Sequence, residues 1–367
     1  MRVLGFGTYD VTTHPRSGIV LDGLRAQGHD VAEANEPLGF STAERVAMLG
    51  RPWLAYRLLL RVLRCWLRLV CTARSQGRPD VVLVGYLGHF DVVLARLLFR
   101  RSRIVLDLLI FAADTARDRG VTGRARLWLL DRLDRIAVRC ADLVVVDTDE
   151  HLALLPAKAR AKGVVVAVGA PAEWFAAATP MVPGVPLRVV FFGLYTPLQG
   201  APVIGAAIGQ LSDEPGIEFT MIGSGQDLDA TRRAAGAGTR TTWREWVEPA
   251  DLPGLVAAHD VCLGIFGATP KAMRVVPNKI FQGAAVGCAL VTSDTPPQRR
   301  ALGNDAVLVP PGDPTALAET LRALAADRAR LTTLRSGIHE RAVREFTAAA
   351  VVAPLGARLA IADRAVP

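Results

Sequence analysis

Short apolar runs recur along the chain, separated by longer stretches in which polar and apolar residues mix. Six runs have the length of a strand: VVLVGY (81–86), RIVLDLLI (103–110), LVVVDT (143–148), VVVAVG (164–169), RVVFFG (188–193) and CALVTS (288–293). Continuous runs rich in β-branched residues are typical of strands buried on both faces of a parallel sheet. The stretches between them are long enough for crossover helices, so the pattern predicts an α/β protein built on parallel sheets.

The amino terminus and one proline-rich stretch divide this pattern into domains. MRVLGFGTYD predicts a first strand and its loop, and LRAQGHDV predicts a helix that ends before a strand at 30–34. Residues 176–187, AAATPMVPGVPL, combine proline with small residues, as linkers do. We therefore predict an amino-terminal domain over 1–178, a linker over 179–187, a carboxyl-terminal domain over 188–345 and a final helix over 346–367 that returns to the amino-terminal domain.

Length and composition agree with two domains. A chain of 367 residues, half of them hydrophobic, can bury a core in each. The five cysteines include no C-x-x-C pair, which favours a reducing compartment. The first residues lack the features of a signal peptide, and no segment has the roughly 18 uncharged apolar residues of a spanning helix. We therefore expect a cytoplasmic protein.

The charge balance points to anionic partners. The net charge is +8 and the isoelectric point is about 9.7. The sequence has no recognisable nucleic-acid-binding motif and no zinc-knuckle spacing, so we expect no nucleic acid partner. The charge alone does not choose between a nucleotide, a nucleic acid and a membrane surface; the missing motifs put nucleic acid last.

Residues 267–294, GATPKAMRVVPNKIFQGAAVGCALVTSD, have the pattern of an anion site. A basic, proline-marked loop leads into a short helix and a buried strand, and a helix N-terminus favours phosphates. Lys271, Arg274 and Lys279 supply positive charge. Asn278, Lys279 and Gln282 are spaced to share a helix face for a ribose or diphosphate. The alternative is a solvated basic loop before a core unit.

A second segment carries glycines where backbone can approach an anion. Residues 187–203, LRVVFFGLYTPLQGAPV, predict a strand that ends at Gly193, a turn, and a helix that starts near Gly200. Neither Gly5-Phe6-Gly7 nor Gly223-Ser224-Gly225 completes G-x-G-x-x-G, so a nicotinamide dehydrogenase is weakly supported.

Five segments together resemble one family. They are FFGLYTPLQG, TMIGSG, WREWVEPADLPGLVAAHDVCLGIFG, VVPNKIFQGAAVGCALVTSD and VLVPPGDPTALAETLRAL. In this order they resemble the carboxyl half of GT-B glycosyltransferases of family 4. The resemblance implies two Rossmann-like domains facing across a cleft, and transfer of a sugar from a nucleotide-diphosphate donor to an acceptor hydroxyl with retention. It also implies that no metal is required.

The resemblance assigns the donor site to the carboxyl half. Lys279 and Arg274 would stabilise the leaving diphosphate. The other candidates for donor binding are Gly193, Gln199, Gly200, Gly223, Gly225, Lys271, Asn278 and Gln282. No cofactor is expected besides the nucleotide sugar, which is a substrate.

Several positions depart from the family pattern. Two glutamates eight residues apart are common in family 4, and this chain has Arg274 and Gln282 there. The family's arginine and lysine in the glycine loop are replaced by Leu194 and Gln199. Two alternatives therefore stay open: a non-catalytic nucleotide- or sugar-binding partner of another transferase, and a sugar-nucleotide epimerase of the same architecture.

The amino half supplies the acceptor-side candidates. His89, in GYLGHFD, and Asp114, in AADTARDR, follow apolar strands and would orient an acceptor; the alternative is a capping or surface role. Asp107 and Asp10 are weaker candidates. The pattern Asp147-Thr148-Asp149 has the D-x-D form of a manganese site in another fold, but three residues specify little, and we expect no metal.

Residues 51–78, RPWLAYRLLLRVLRCWLRLVCTARSQGR, predict a helix with a stripe of arginines at positions 57, 61, 64 and 68. Such a helix can lie in a bilayer interface, with Trp53 and Trp66 near headgroups and the arginines on anionic lipid. A peripheral site at the inner face of a membrane and a lipid-linked acceptor fit this interpretation, while a small-molecule acceptor also remains open. The alternative is a domain helix buried on most of its surface.

Overall fold

The computed structural model describes residues 1–12, 14–39, 52–179 and 184–363. The chain forms two compact units. The first unit contains Met1–Ala167 and Val351–Pro367, and the second contains Val168–Ala350. The chain thus passes between units near residue 167, whereas the sequence placed the domain boundary at 178; residues 180–183 of the predicted linker lie outside the described part.

The first unit is built on a six-stranded parallel sheet in the order β2-β1-β3-β4-β5-β6. Its strands are β1 (Arg2–Gly7), β2 (Asp30–Asn35), β3 (Val81–Val84), β4 (Arg103–Asp107), β5 (Leu143–Val146) and β6 (Gly163–Val165). Its helices are α1 (Arg16–Ala26), α2 (Pro52–Ser75), α3 (Asp91–Leu98), α4 (Ala112–Asp118), α5 (Arg124–Cys140) and α6 (Asp149–Leu154), followed by a 3₁₀ segment, Ala157–Lys162.

Helices α2, α3 and α5 share one face of this sheet. The connections from β2 to β3, β3 to β4 and β4 to β5 all run in the same direction along the strand order. Because crossover connections between parallel strands are right-handed, the helices in these three connections lie on the same face of the sheet. Leu69 of α2, Val92 of α3 and Ala137 of α5 pack in one core cluster with the strands. The Trp66 indole N–H donates to Asp91, so α2 is tied to α3 by a hydrogen bond as well as by packing.

The second unit contains another six-stranded parallel sheet, in the order β12-β11-β10-β7-β8-β9. Its strands are β7 (Leu187–Phe192), β8 (Ile217–Ile222), β9 (Thr241–Arg244), β10 (Val261–Leu263), β11 (Ala289–Ser293) and β12 (Val307–Val309). Its helical segments are α7 (Ala172–Ala176), α8 (Ala201–Gln210), α9 (Leu228–Ala235), α10 (Leu252–Ala257), a 3₁₀ turn (Ala272–Arg274), α11 (Asn278–Ala285), α12 (Pro296–Leu302), α13 (Pro314–Ala326) and α14 (Arg328–Glu345). Two parallel sheets with surrounding helices confirm the predicted fold class.

The strand order of the second unit reverses between β7 and β10. The chain proceeds from β7 through β8 to β9 on one side, and β10, β11 and β12 then extend the sheet on the other. Loops leaving the carboxyl ends of β7 and β10 therefore diverge. In open α/β sheets a ligand binds in the crevice at such a switch point.

The last helix, α15 (Ala348–Asp363), belongs to the first unit from Val351 onward. Its Val352, Leu355 and Leu359 are fully buried, and the Leu359 carbonyl accepts a hydrogen bond from Arg103. Among the helices of the described ranges, none has the length and apolar character needed to cross a membrane.

Candidate functional site

Lys279 is the centre of the candidate site in the second unit. It lies in the first turn of α11, and only 4% of its surface is exposed. Its Nζ donates to Gln199 Oε1 at 2.6 Å and lies 3.6 Å from the centre of the Phe191 ring. A Cβ added to Gly193 would lie 3.3 Å from the same nitrogen. The end of β7, the loop that follows it and the start of α11 therefore meet at one ammonium group.

The electrostatics of Lys279 are those of a cation without an anion. Burial lowers the pKa of Lys279 to about 7, because the charged form loses hydration. The face of the Phe191 ring acts in the opposite direction, since an aromatic face attracts a cation. Across the described part of the chain, no carboxylate forms an ion pair with Lys279. A bound anion would supply the missing partner.

Gly193 and Gly200 frame the loop that carries Gln199. Gly193 has φ +136°, and Gly200, at the start of α8, has φ +62°; side chains rarely adopt either conformation. A Cβ on Gly200 would come within 2.3 Å of the Gly267 nitrogen, and the Gln199 carbonyl accepts from Phe266 N–H. The loop after β7 is therefore packed directly against the loop after β10.

Gly223 and Gly225, which follow β8, allow a similar close approach between the loops after β7 and β8. A Cβ on Gly223 would lie 1.9 Å from the Gly193 carbonyl oxygen, and one on Gly225 would lie 2.5 Å from the Tyr195 oxygen. These glycines hold the loops after β7 and β8 together. A direct contact between either glycine and a donor stays a prediction.

The other donor-site candidates lie on the segment that leads into Lys279. Lys271 and Arg274 are half-buried at the 3₁₀ turn before α11. Asn278 and Gln282 are half-buried on α11, one turn apart. Within the described ranges neither amide side chain has a hydrogen-bond partner, so both are available to the hydroxyls of a ligand. Of the predicted set, the structure brings Lys279, Gln199 and Gly193 into contact.

Phe191 is the contact residue that the sequence did not single out. It belongs to strand β7, in which Val189, Val190 and Phe192 are equally apolar and also buried, so the sequence did not distinguish it from its neighbours. Its place two residues before Gly193 was the available signal, because a residue near the carboxyl end of a strand lies close to the ligand edge of the sheet.

The acceptor-side candidates have mostly structural contacts in the first unit. His89 is buried, and its Nε2 lies 2.9 Å from Asp134 Oδ1, which also accepts from Ala112 N–H at the start of α4. Asp114 is half-buried in the first turn of α4. These contacts fix the loop after β3 against α4 and α5. The roles of His89 and Asp114 toward an acceptor stay predictions.

The weaker acidic candidates are also engaged. Asp107 is buried and paired with Arg16, and the dominant effect of burial raises its pKa. Asp10 accepts hydrogen bonds from Thr12. Asp147, of the D-x-D pattern, lies 2.5 Å from His151 Nδ1. In the portion of the chain that is described, no three His, Cys, Asp or Glu side chains form a cluster suited to a metal ion.

Helix α2 exposes apolar as well as basic side chains among those that the structure describes. Val62, Cys65 and Leu69 are buried, whereas the leucines at 59, 60, 63 and 67 are exposed, as are Arg61, Arg64 and Arg68. The exposed leucines do not fit a helix buried on most of its surface. Trp66 is half-buried and its indole N–H donates to Asp91, so its place near headgroups stays a prediction. Residue 51 and the side chains of Trp53 and Arg57 are outside the described part.

Comparisons with known proteins agree with this architecture. Residues 186–327 match the family model described as glycosyl transferases group 1. No curated protein sequence matches the chain. The fold is similar to that of a sucrose-phosphate synthase from Thermosynechococcus elongatus, with a TM-score of 0.74 and 14% identity over 100% of both chains.

Two further structures have the same fold at similar identity. The Anabaena protein HepE in complex with UDP has a TM-score of 0.65 and 14% identity, over 98% of this chain and 99% of that one. An α,α-trehalose-phosphate synthase (UDP-forming) from Burkholderia vietnamiensis has a TM-score of 0.66 and 15% identity, over 98% and 96% of the two chains.

The class of protein follows from the two parallel sheets and these neighbours: the chain has the GT-B fold of glycosyltransferases. Its second unit carries a group 1 glycosyltransferase domain over residues 186–327, which contains Gly193, Gln199 and Lys279. The resemblance predicted from the sequence motifs is confirmed at this level.

Proposed function

We propose that the protein transfers a sugar from a nucleotide-diphosphate donor to an acceptor hydroxyl, with retention of configuration and without a required metal ion. One observation carries the proposal: Lys279 is a buried cation without a carboxylate partner, at the switch point between β7 and β10. Other GT-B proteins support the choice of donor, since HepE structures contain UDP and UDP-glucose.

The chemistry requires stabilisation of the leaving diphosphate. Negative charge develops on the phosphate oxygens as the bond between the sugar and the diphosphate breaks. Fixed cations and dipoles stabilise this charge and so lower the activation free energy of bond cleavage. Protonated Lys279 supplies a charge held by Gln199, the amino end of α11 adds a favourable dipole, and Arg274 and Lys271 lie on the approach to it. His89 and Asp114 orient the acceptor, whose proton passes to the departing phosphate.

A matched pair of variants tests the donor site. Lys279→Met removes the buried cation, whereas Lys158→Met removes an exposed lysine of the first unit. Loss of a charge-assisted contact, at about 1.5–3 kcal/mol, should weaken UDP binding by roughly 10- to 150-fold in calorimetry. Lys158→Met should bind like the wild type. Equal affinity in both variants would contradict the assignment of Lys279.

Retention and metal independence need separate measurements. The anomeric configuration of the product, read by NMR before mutarotation, should match that of the donor. Turnover should survive a chelator; strict dependence on added manganese would contradict the metal-free mechanism and direct attention to Asp147 and Asp149.

A second candidate function is donor binding without catalysis, as a partner of another transferase. It is favoured by Leu194, 46% exposed where the family has arginine, and by Gln199, which accepts a hydrogen bond from Lys279 where the family has a second cation. UDP-sugar binding with no hydrolysis or transfer by the purified protein would favour this candidate.

The acceptor is lipid-linked and is met at an anionic membrane surface. The support is α2, whose exposed leucines lie beside the arginine stripe. Protein should sediment with vesicles containing phosphatidylglycerol at low salt, and Arg61→Gln/Arg64→Gln should weaken this binding while donor hydrolysis stays intact. Wild-type protein that stays in the supernatant would make a soluble acceptor the better assignment.

A further inference from the structure

A groove of about 520 Å³ opens between the carboxyl-terminal ends of α2 and α3 in the first unit. Its floor is apolar and includes Val70, Ala73 and Phe99. Four exposed arginines line it: Arg74, Arg78, Arg100 and Arg101. Neither the family motifs nor the donor site accounts for this groove.

The four arginines carry positive charge that no acid of the described chain neutralises. None of them forms an ion pair there, and no Asp or Glu lines the groove. The nearby acids are engaged elsewhere, since Asp80 accepts from the Arg2 backbone N–H and Asp142 pairs with Arg96. A single cation at each helix end would offset the helix dipole. Two at each end leave an excess of positive charge suited to anionic phosphate groups.

The groove lies at the opposite end of the sheet from the acceptor-side candidates. Arg78 and Arg101 precede β3 and β4, which begin at Val81 and Arg103. Substrates of parallel α/β sheets bind outside the carboxyl ends of the strands, where His89 and Asp114 follow β3 and β4. A ligand in the groove would therefore occupy a separate site.

Apolar side chains continue from the groove along the same face of the unit. Leu63, Leu67, Val70 and Arg74 recur at helical spacing, so one stripe of α2 runs into the groove. Leu67 is 70% exposed, and Leu97, across the groove on α3, is 59% exposed. Arginines beside exposed leucines complement a surface that is anionic outside and apolar beneath.

We propose that the groove binds the phosphate-bearing headgroup of an anionic phospholipid, with Leu67 and Leu97 among the upper acyl carbons. This site rests on the membrane-bound acceptor in the proposed function and does not depend on glycosyl transfer itself. It gives the protein a fixed point of attachment away from the catalytic edge of the sheet, so that the carboxyl ends of the strands stay free for an acceptor.

The test compares two double variants with equal changes of charge. Arg100→Gln/Arg101→Gln removes two groove arginines, and Arg233→Gln/Arg330→Gln removes two exposed arginines of the second unit that lack ion pairs in the described chain. Each protein is sedimented with vesicles of phosphatidylcholine alone or mixed with phosphatidylglycerol. At about 1 kcal/mol for each arginine, the groove variant should bind the mixed vesicles roughly thirtyfold more weakly. The control should stay near wild type, and melting curves confirm that each variant is folded.

Leu67→Gln/Leu97→Gln and a titration with inorganic pyrophosphate, carried out with the donor site saturated by UDP, separate a lipid from a free anion in the groove. The leucine variant should lose vesicle affinity while its pyrophosphate binding matches wild type. Equal losses in the two arginine variants, or unchanged vesicle binding in the leucine variant, would overturn the proposal. A groove variant that loses pyrophosphate binding but keeps vesicle binding would assign the groove to a soluble phosphate instead.

The outcomes also separate the groove from the rest of the proposed function. If wild-type protein does not bind the mixed vesicles, both the groove and the membrane-bound acceptor are wrong. If Arg61→Gln/Arg64→Gln weakens binding and the groove variant does not, only the groove is wrong. Donor hydrolysis, measured with soluble substrate in the same preparations, tests the transfer reaction independently.

Discussion

At the scale of single residues, Lys279 is both an ionisable amine and a buried side chain, and burial normally disfavours its charged form. An isolated ammonium group in an apolar site is strongly disfavoured, and it usually loses its proton or finds an anion. Gln199 accepts one of its hydrogens and Phe191 offers a ring face, so the group is tolerated in the unliganded protein. In the proposed function, a bound diphosphate supplies the anionic partner that Lys279 lacks in the described chain.

Proton uptake on donor binding is the first consequence. With a pKa near 7 when unliganded, Lys279 is largely neutral at mildly alkaline pH, and a diphosphate favours its charged form. Calorimetry of UDP binding at such a pH, in buffers of different ionisation enthalpy, should show uptake of a proton. Lys279→Arg, which stays charged, should bind without that uptake. The same uptake in the arginine variant would assign the proton to another group.

The lowered pKa of Lys279 also gives stability a definite dependence on pH. The unfolded chain binds this proton up to about pH 10.5, whereas the folded protein releases it near pH 7. Between these values the unfolded state holds more protons, so the free energy of unfolding rises with pH. Compared with Lys279→Met, the unliganded wild type should gain stability from pH 7 upward and be relatively weakest below it. Parallel denaturant curves across this range would show the difference; an opposite slope would contradict it.

Gln282 gives a prediction about the donor ribose. Its amide has no partner in the described chain, so Gln282→Glu should stay active, because a carboxylate also accepts from ribose hydroxyls. Gln282→Leu should raise the donor KM, since it leaves those hydroxyls unpaired. Steady-state kinetics with varied donor checks both, and a leucine variant with normal KM would make Gln282 a packing residue.

The limits of sequence reasoning at this scale are clear at Lys279 and His89. A basic loop before a short helix was enough to nominate Lys279 as a phosphate ligand. Its hydrogen-bond partner, Gln199, is 80 positions away. His89 is held by Asp134, at a separation of 45. Contacts at such distances follow from strand order, and a pattern of apolar positions does not contain that order.

At the scale of elements, the strands that could be predicted from the sequence are the ones that are buried along most of their length. β3, β5, β7 and β11 are almost wholly buried, and their mainly apolar runs were identified correctly as strands. β9 lies at an edge of its sheet and alternates between half-buried and exposed residues, so TTWR did not stand out. β10 and β12 are three residues long, too short to form a pattern of their own.

The loop that joins β7 to α8 yields a stability prediction. Gly200→Ala places a Cβ against the backbone of Gly267 in a left-handed conformation, and strain of this kind costs about 1–3 kcal/mol before the clash is counted. The free energy of unfolding should fall by at least that amount. Gly254→Ala, in α10, meets no atom within 4 Å and serves as the control. Urea denaturation compares them, and equal stability of the two variants would show that the loops after β7 and β10 do not need this close approach.

At the scale of the whole molecule, the donor site and the groove belong to different units. UDP should slow hydrogen exchange in residues 193–200 and 271–282, where Gln199 and Lys279 lie, and leave residues 70–102 unchanged. Anionic vesicles should protect 70–102 instead. Mass spectrometry of peptides from the intact protein reads both regions in one experiment. Protection of 70–102 by UDP alone would mean that the two sites are coupled.

The return of α15 to the first unit constrains how the protein forms during synthesis. Residues 168–350 leave the ribosome before Val351, so the second unit is complete while the first still lacks the helix that buries Val352, Leu355 and Leu359. Domains generally fold as units during translation. The first unit is therefore begun first and completed last, and a released chain that ends at residue 350 should resist protease over 168–350 while 1–167 is digested. The unit with the groove and the exposed leucines reaches its mature form only after the second unit has folded.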